Sequence, residues 1–281
     1  VVVSFARALP KLFVIPFLVM KHLIILFAVV LALNAFADPL ESWTRLTPAP
    51  KGVTLTNVTS GSGLFVAVGS GSVVTSPDGL NWEWQAVPGQ HRDAVWGNGR
   101  FVTVGNVVLT STDGFEWSRV SSGNLFGCAF GNNTFVAVGD TILTSNDGIT
   151  WESQRPPDRL LRVTYGEGEF IAVGFNGMIL RSPDGRTWSP VGPGGSAYFR
   201  GVAYGNGRYL ATGLTFAGNT SDGIVYSSVN GGRTWQEIPG PQPKPNGRVQ
   251  FEGGAFVSSR GGDVYVSADG HHWSVYGPAM A

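Results

Sequence analysis

The chain has 281 residues, 19 basic and 19 acidic side chains, and 43% hydrophobic residues. The even charge balance excludes a basic field of the kind that nucleic-acid binding needs, and the single cysteine, Cys128, excludes an internal disulfide. The 40 glycines and 17 prolines point to many short elements joined by turns, and no helical period stands outside the first 37 residues.

In chain order, residues 20–37, MKHLIILFAVVLALNAFA, come first as a readable element. A short basic start (Lys21, His22), an apolar run from Leu23 to Leu33 and a small-x-small site at Ala35–Ala37 have the layout of a secretory signal peptide, cleaved after Ala37. The apolar run falls short of the roughly 20 residues of a transmembrane helix. Residues 1–19 read as lying upstream of a start at Met20. The leader therefore covers 1–37, the mature domain 38–281, and the expected location is secreted or periplasmic. Without the leader the net charge is −3, because Arg7, Lys11 and Lys21 go with it. SWTRL at 42–46, with Trp43, resembles one more outer strand with no obvious place.

From Ser76 onward one hairpin sequence recurs: SPDGLNW at 76–82, STDGFEW at 111–117, SNDGITW at 145–151, SPDGRTW at 182–188, SVNGGRTW at 228–235 and SADGHHW at 267–273. The serines Ser76, Ser111, Ser145, Ser182, Ser228 and Ser267 are 35, 34, 37, 46 and 39 residues apart. Each unit holds four short β-prone runs; in the copy at 161–191 they are RVTYG, FIAVG, MILRS and TWSPV, separated by Gly- and Asn-rich turns. Such a period, with four antiparallel strands per unit, predicts an all-β single β-propeller, six-bladed, with seven blades as the alternative because of the Trp43 strand. Aromatic residues at the start of the second strands (Phe65, Phe101, Phe135, Phe170, Tyr209, Phe256) are expected between blades, as are the hairpin tryptophans Trp82, Trp117, Trp151, Trp188, Trp235 and Trp273. Cys128 stands where sister units have Ala94, Val163 and Val202, and so reads as a small buried apolar residue.

These hairpins resemble the Asp-box, or bacterial neuraminidase repeat, S-x-D-x-G-x-T-W; five are one residue shorter, and the fifth copy has full length but Asn230 for Asp. The resemblance covers nearly all of 50–281 and implies a propeller of the superfamily that includes sialidases, photosystem II assembly factors and sortilin, with each box between the third and fourth strands of a blade. Turn chemistry accounts for the acids. Asp78, Asp113, Asp147, Asp184 and Asp269 accept backbone N–H groups, and glycine supplies the positive φ. They are expected to be structural, not catalytic residues or metal ligands.

Length variation sorts the faces. The boxes lie on a uniform face, whereas the opposite face carries GLTFAGNTSDG at 213–223 and the links QRPPDRLL, SPVGPGGSAYF and PGPQPKPNGR. Variation on one face of a repeat array marks a binding face. A ligand is expected over blades four to six, with Arg155, Asp158, Arg159, Tyr198, Phe199, Arg200, Phe216, Asp222 and Lys244 as candidate contacts.

Arg92, Arg162, Arg200 and Arg248 stand at the start of first strands, but in two registers one residue apart, so alternation sends the two pairs in different directions. A sialidase-like clamp on a carboxylate, for which bidentate arginine is suited, is thereby disfavoured, and no Glu is placed to activate Tyr198. Two-carboxylate glycosidase chemistry would draw on acids of the variable face, namely Asp93, Asp140, Asp158, Asp222 and Asp263. The leading expectation is an exported, non-catalytic, monomeric binding propeller for a protein or carbohydrate ligand, without cofactor, metal, nucleic acid or membrane span in the mature chain. A glycoside hydrolase and a purely structural extracellular module are the alternatives.

Overall fold

The structure is a computed structural model that describes residues 54–217, 220–240, 244–260 and 263–276. The signal-peptide segment and the Trp43 strand lie outside the described residues. Among the described residues no helix is long and apolar enough to cross a membrane.

Strands form five antiparallel sheets. The first contains β1 (Leu55–Gly61), β2 (Leu64–Ser76), β3 (Glu83–Gly97), β4 (Arg100–Gly105), β5 (Val107–Ser111) and β6 (Ser118–Ser122), hydrogen-bonded in that order. The second contains β7 (Leu125–Gly131), β8 (Thr134–Gly139), β9 (Ile142–Ser145) and β10 (Glu152–Gln154). The third contains β11 (Leu160–Gly166), β12 (Glu169–Gly174), β13 (Ile179–Ser182) and β14 (Ser189–Pro190). The fourth contains β15 (Tyr198–Gly205), β16 (Arg208–Ala217), β17 (Thr220–Ser228) and β18 (Gln236–Glu237). The fifth contains β19 (Val249–Glu252), β20 (Ala255–Arg260), β21 (Asp263–Ser267) and β22 (Ser274–Tyr276).

The fold is a five-bladed β-propeller, which overturns the expected six four-stranded blades and the seven-bladed alternative. The cause lies in two long strands. β3 runs without a break from the last strand of the first sequence repeat into the first strand of the second, pairing Glu83–Ala86 with β2 and His91–Gly97 with β4. β2 likewise serves β1 through Leu64–Gly69 and β3 through Ser72–Thr75, with its register shift at Gly71. Two repeats thus share one six-stranded sheet, while each of the other four has its own.

The innermost strands β1, β3, β7, β11, β15 and β19 stand side by side around an axial cavity of about 500 Å³. Their packing follows one rule. Trp96, Phe130, Tyr165, Tyr204 and Phe251 occupy equivalent register positions, each opposite the aromatic residue that begins the next strand. Each ring lies on the glycine that ends the preceding repeat's inner strand: Gly61, Gly97, Gly131, Gly166 and Gly205. A methyl group added at any of these glycines would stand 2.1–2.2 Å from ring carbons, well inside van der Waals contact. Phe101, Phe135, Phe170, Tyr209 and Phe256 behind these rings are fully buried, with centroid separations of 4.3–4.9 Å to them. The sixth repeat departs from the rule in a matched way. Glu252 takes the glycine position, paired with Ala255, and Ser60 takes the aromatic position, paired with Phe65. A side chain on one side of the seam coincides with a missing ring on the other, as a ring that closes between its last and first repeats requires.

Two outcomes follow from this packing. Gly131→Ala is expected to cost about 3 kcal/mol, the upper end for overpacking a core, in urea unfolding; a loss below about 1 kcal/mol would contradict the close approach. Ser60→Phe is expected to destabilise by itself and to regain much of that loss when combined with Glu252→Gly, whereas additive losses would show that the two positions do not meet.

Candidate functional site

The hairpins between third and fourth strands form one face, and they are closed on themselves. In the first, Asp78 Oδ1 accepts the backbone N–H groups of Leu80 and Asn81, both at 2.8 Å, Ser76 Oγ accepts Gly79 N at 2.8 Å, and Trp82 Nε1 donates to Gly79 O at 3.0 Å. The same Asp–backbone pattern holds at Asp113, Asp147, Asp184 and Asp269. The N–H groups of Thr150 and Ile149 hold the Asp147 carboxyl down to about 2. Asn230 does the same work with an amide oxygen in the longer fifth copy, accepting Thr234 N at 3.0 Å. These acids spend their lone pairs on the turn.

The opposite end of the axis is different. The inner strands of the first five repeats each have a bulge near their start, between Leu55 and Asn57, His91 and Asp93, Leu125 and Gly127, Leu160 and Arg162, and Phe199 and Gly201. A bulge breaks strict alternation and re-aims neighbouring side chains. Among the residues just after these bulges, and Arg248 just before β19, those that border the axial cavity are Asn57, Asp93, Arg162 and Arg248. Asp93, 2% exposed, is the hub of this ring. Its Oδ1 accepts Arg248 Nη2 at 2.8 Å, the Ala94 N–H at 3.0 Å and Asn57 Nδ2, and its Oδ2 accepts Cys128 N at 3.1 Å. Arg162 donates from Nη1 to the carbonyls of Phe126 at 2.6 Å and Leu161 at 2.7 Å. Burial, followed by the nearby Arg248 charge, lowers the Arg162 pKa to about 10, still protonated at neutral pH. Cys128 is buried, and burial followed by the Asp93 charge pushes its thiol well above the ordinary range, consistent with a packing role.

Three bulge residues, Arg92, Phe126 and Arg200, build a second feature together with residues of the neighbouring links, whereas the bulge residue of the fourth repeat, Leu161, is buried. Arg92 lies over the Phe126 ring at 4.4 Å. Arg159 lies between Phe126 at 5.8 Å and Phe175 at 5.9 Å. Phe175 stacks on Tyr198 at 4.5 Å, and Arg200 covers Tyr198 at 4.9 Å. Arg92, Phe126, Arg159, Phe175, Tyr198 and Arg200 thus form a ladder of cations and rings, with Phe175 and Tyr198 in direct ring contact, that crosses four repeats beside the axial mouth. Side bonds hold it: Arg92 donates to Asn124 Oδ1 at 2.8 Å, and Arg159 pairs with Asp140 at 2.5 Å.

Of the contacts expected from sequence, Arg159, Tyr198 and Arg200 meet in this ladder. Asp158 stands beside it, accepting Arg159 N and Asn176 Nδ2, and Arg155 is exposed on the same link. Phe216 and Asp222 belong to the β16–β17 hairpin, which projects beyond its counterparts; Phe216 is 55% exposed, and Asp222 pairs with Thr215 across the hairpin. Two expectations need correction. Phe199 is fully buried and packs edge-on to Tyr226 at 5.4 Å, because the bulge between it and Gly201 turns it into the core. Lys244 is also buried, with Nζ on the Ile238 carbonyl at 2.9 Å and 3.9 Å from Glu237. Phe126, Phe175 and Arg92 were missed as contacts, although Arg92 and Phe126 share the register position of Arg200 and could have been found by aligning the repeats. The two arginine registers do send their side chains apart: Arg162 and Arg248 to the cavity, Arg92 and Arg200 to the ladder. Among the described residues no group of three His, Cys, Asp or Glu side chains is placed to hold a metal ion.

No family model and no curated protein matches the sequence. Solved structures do match. The Pan2 WD40 domain of Neurospora crassa superposes with a TM-score of 0.61 at 11% identity, over 82% of this chain and 81% of that one. YCF48 from Cyanidioschyzon merolae gives 0.60 at 17% identity over 83% and 87%, and YCF48 bound to D1 peptide gives 0.60 at 18% identity over 83% and 84%.

The buried His91 beside this ring supplies a prediction. Its Nδ1 meets Thr103 Oγ1 at 2.9 Å and its Nε2 meets Pro88 O at 3.0 Å. Burial, opposed by the Pro88 carbonyl, lowers its pKa below the ordinary 6.5. A lowered folded-state value means that its contribution to stability is complete above 6.5 and is lost as pH falls through the folded value. Urea midpoints measured from pH 7.5 down to 5 should fall, with a flatter slope in His91→Gln; equal slopes would contradict a titrating His91. These comparisons, all below 20% identity, establish the β-propeller fold that the chain shares with these proteins.

Proposed function

We propose that the chain is an exported binding propeller, without catalytic activity, that recognises a segment of a partner protein on the loop face. The observation that carries this reading is the arginine–aromatic ladder from Arg92 to Arg200. It offers flat rings and guanidinium groups, two of them, Arg92 and Arg159, held in place by side bonds, which lowers the side-chain entropy lost on binding. Arginine and tyrosine are also residue types enriched at the centres of protein interfaces. The projecting hairpin with Phe216 adds an apolar rim. A propeller of the same fold has been solved with a peptide on it, in the complex of YCF48 with D1 peptide. Export rests on the layout of residues 20–37, and the resemblance to Asp-box repeats rests on the six hairpins.

The test is a peptide display selection and a glycan array run in parallel on the same protein. Peptide ligands are expected to bind, and Phe175→Ala or Tyr198→Ala should weaken them about tenfold or more, the loss of one interface anchor, with an unchanged circular dichroism spectrum. Glycan binding lost on the same substitutions would replace the protein ligand by a carbohydrate. Ligands indifferent to both substitutions would overturn the choice of face.

A further inference from the structure

Apolar clusters join each repeat to the next, from the first and second to the fifth and sixth, and among the described residues none joins the sixth repeat to the first. The side chains that face this seam are correspondingly less covered. Phe65 of the first repeat is half-buried, whereas its counterparts Phe101, Phe135, Phe170, Tyr209 and Phe256 are fully buried. Leu55 is half-buried where Leu125, Leu160 and Phe199 are closed off from solvent. On the sixth repeat Val257 and Val264 are half-buried and Ser259 is exposed. The second repeat fills the same register positions with Val102, Val108 and Val104, all fully buried. Among the described residues Phe65 is also the only one from a second strand that borders the axial cavity, so the seam opens that cavity sideways.

We propose that the seam is a docking groove for segment 43–53 of the same chain, with Leu46 inside it. That segment lies outside the described residues and runs directly into β1, the inner strand on one side of the seam. The repeat register points to Leu46. In three repeats the residue three places after the hairpin tryptophan packs into the cluster shared with the next repeat: Val120 after Trp117, Val191 after Trp188 and Ile238 after Trp235. Leu46 stands three places after Trp43, and the repeat that follows is the first, whose seam face is the uncovered one. The linking distance also fits. Those tryptophans stand 8, 10 and 14 residues before the next inner strand, and Trp43 stands 12 before Leu55. Residues 47–54 span up to roughly 26 Å at about 3.3 Å each. The outer and inner strands of a four-stranded sheet are only about 14 Å apart, three spacings of about 4.8 Å. The fifth sheet already has its outer strand, β22, so the segment lies along the seam and adds no blade. A second copy of the chain could offer the same segment, but a tether this short holds its own at an effective concentration of about millimolar.

Thiol labelling of the full chain with iodoacetamide tests this. Ser259→Cys replaces one atom at a seam position, and Ser118→Cys does the same on an exposed outer strand away from the seam. The native Cys128 is buried and gives a low background. The Ser259→Cys thiol is expected to react about tenfold or more slowly than the Ser118→Cys thiol, the protection that docking of one apolar side chain confers. Adding Leu46→Asp should bring the two rates together. If that variant does not fold, Leu46→Ala should still raise the rate at position 259. Light scattering should show that the slow rate belongs to a monomer and does not change with protein concentration. Equal rates at 259 and 118 in the otherwise native chain would mean that nothing covers the seam and would overturn the proposal. A slow rate that neither Leu46 variant changes would assign the seam to another occupant, and protection that disappears on dilution would assign it to a second copy; either result also overturns it.

Discussion

A propeller is a ring closed without a covalent bond, and here one buried carboxylate takes part in that closure from the axis outward. Asp93 binds the first repeat through Asn57, the third through the Cys128 N–H and the sixth through Arg248. The last of these links residues 155 positions apart. A charge so deeply buried carries a desolvation penalty of several kcal/mol, which Coulomb attraction offsets only when the remaining lone pairs are also bonded. Asp93 meets that condition with four donors. The strand starts it binds become fixed relative to one another, and so do the bulges, the cavity and the outward-facing side chains that depend on them.

Packing between repeats complements this polar hub. Each ring-on-glycine contact needs the bare backbone of one repeat and the aromatic side chain of the next, so neither half functions alone. That is the physical reason for the repetition: a single repeat would expose a ring and a bare strand edge. At the seam the pattern changes on both sides at once, Glu252 for glycine and Ser60 for a ring. The two ends of the molecule then differ in kind. At one end the hairpin acids are consumed by their own backbones. At the other, bulges expose an arginine–aromatic ladder. Binding chemistry is concentrated where the backbone is irregular.

Much of this was legible in the sequence because it is periodic. The hairpins, the four strands per unit, the aromatic positions and the divergence of the two arginine registers all follow from spacing. The features that were not legible depend on events that break period. The merger of the first two repeats into one sheet arises because β3 bulges at Val87–Gly89, where Gly89 has a left-handed φ, yet stays paired on both sides of it, at a Pro-Gly pair that reads as a turn. The burial of Phe199 arises from a one-residue bulge that sets it on the core side, whereas the sequence places it in a variable, solvated link. Lys244 sits in a Pro-rich link that reads as solvated, yet its ammonium reaches the Ile238 carbonyl. The ladder joins residues of four repeats whose rings meet only in three dimensions. Asp93 looked like one acid among several on the variable face, since its partners lie in three other repeats.

The most direct test of the account is a double-mutant cycle on the axial pair, with Asp93→Asn, Arg248→Met and the combination compared by urea unfolding at neutral pH. If Asp93 is the hub of the ring, each single substitution strands a buried group and should cost about 3 kcal/mol or more. The double variant should then cost less than the sum by about 2 kcal/mol, the range seen for residues in one bonded network. Additive losses within about 0.5 kcal/mol would show that the two ends of the chain are not coupled through this carboxylate, and the axial account would fail.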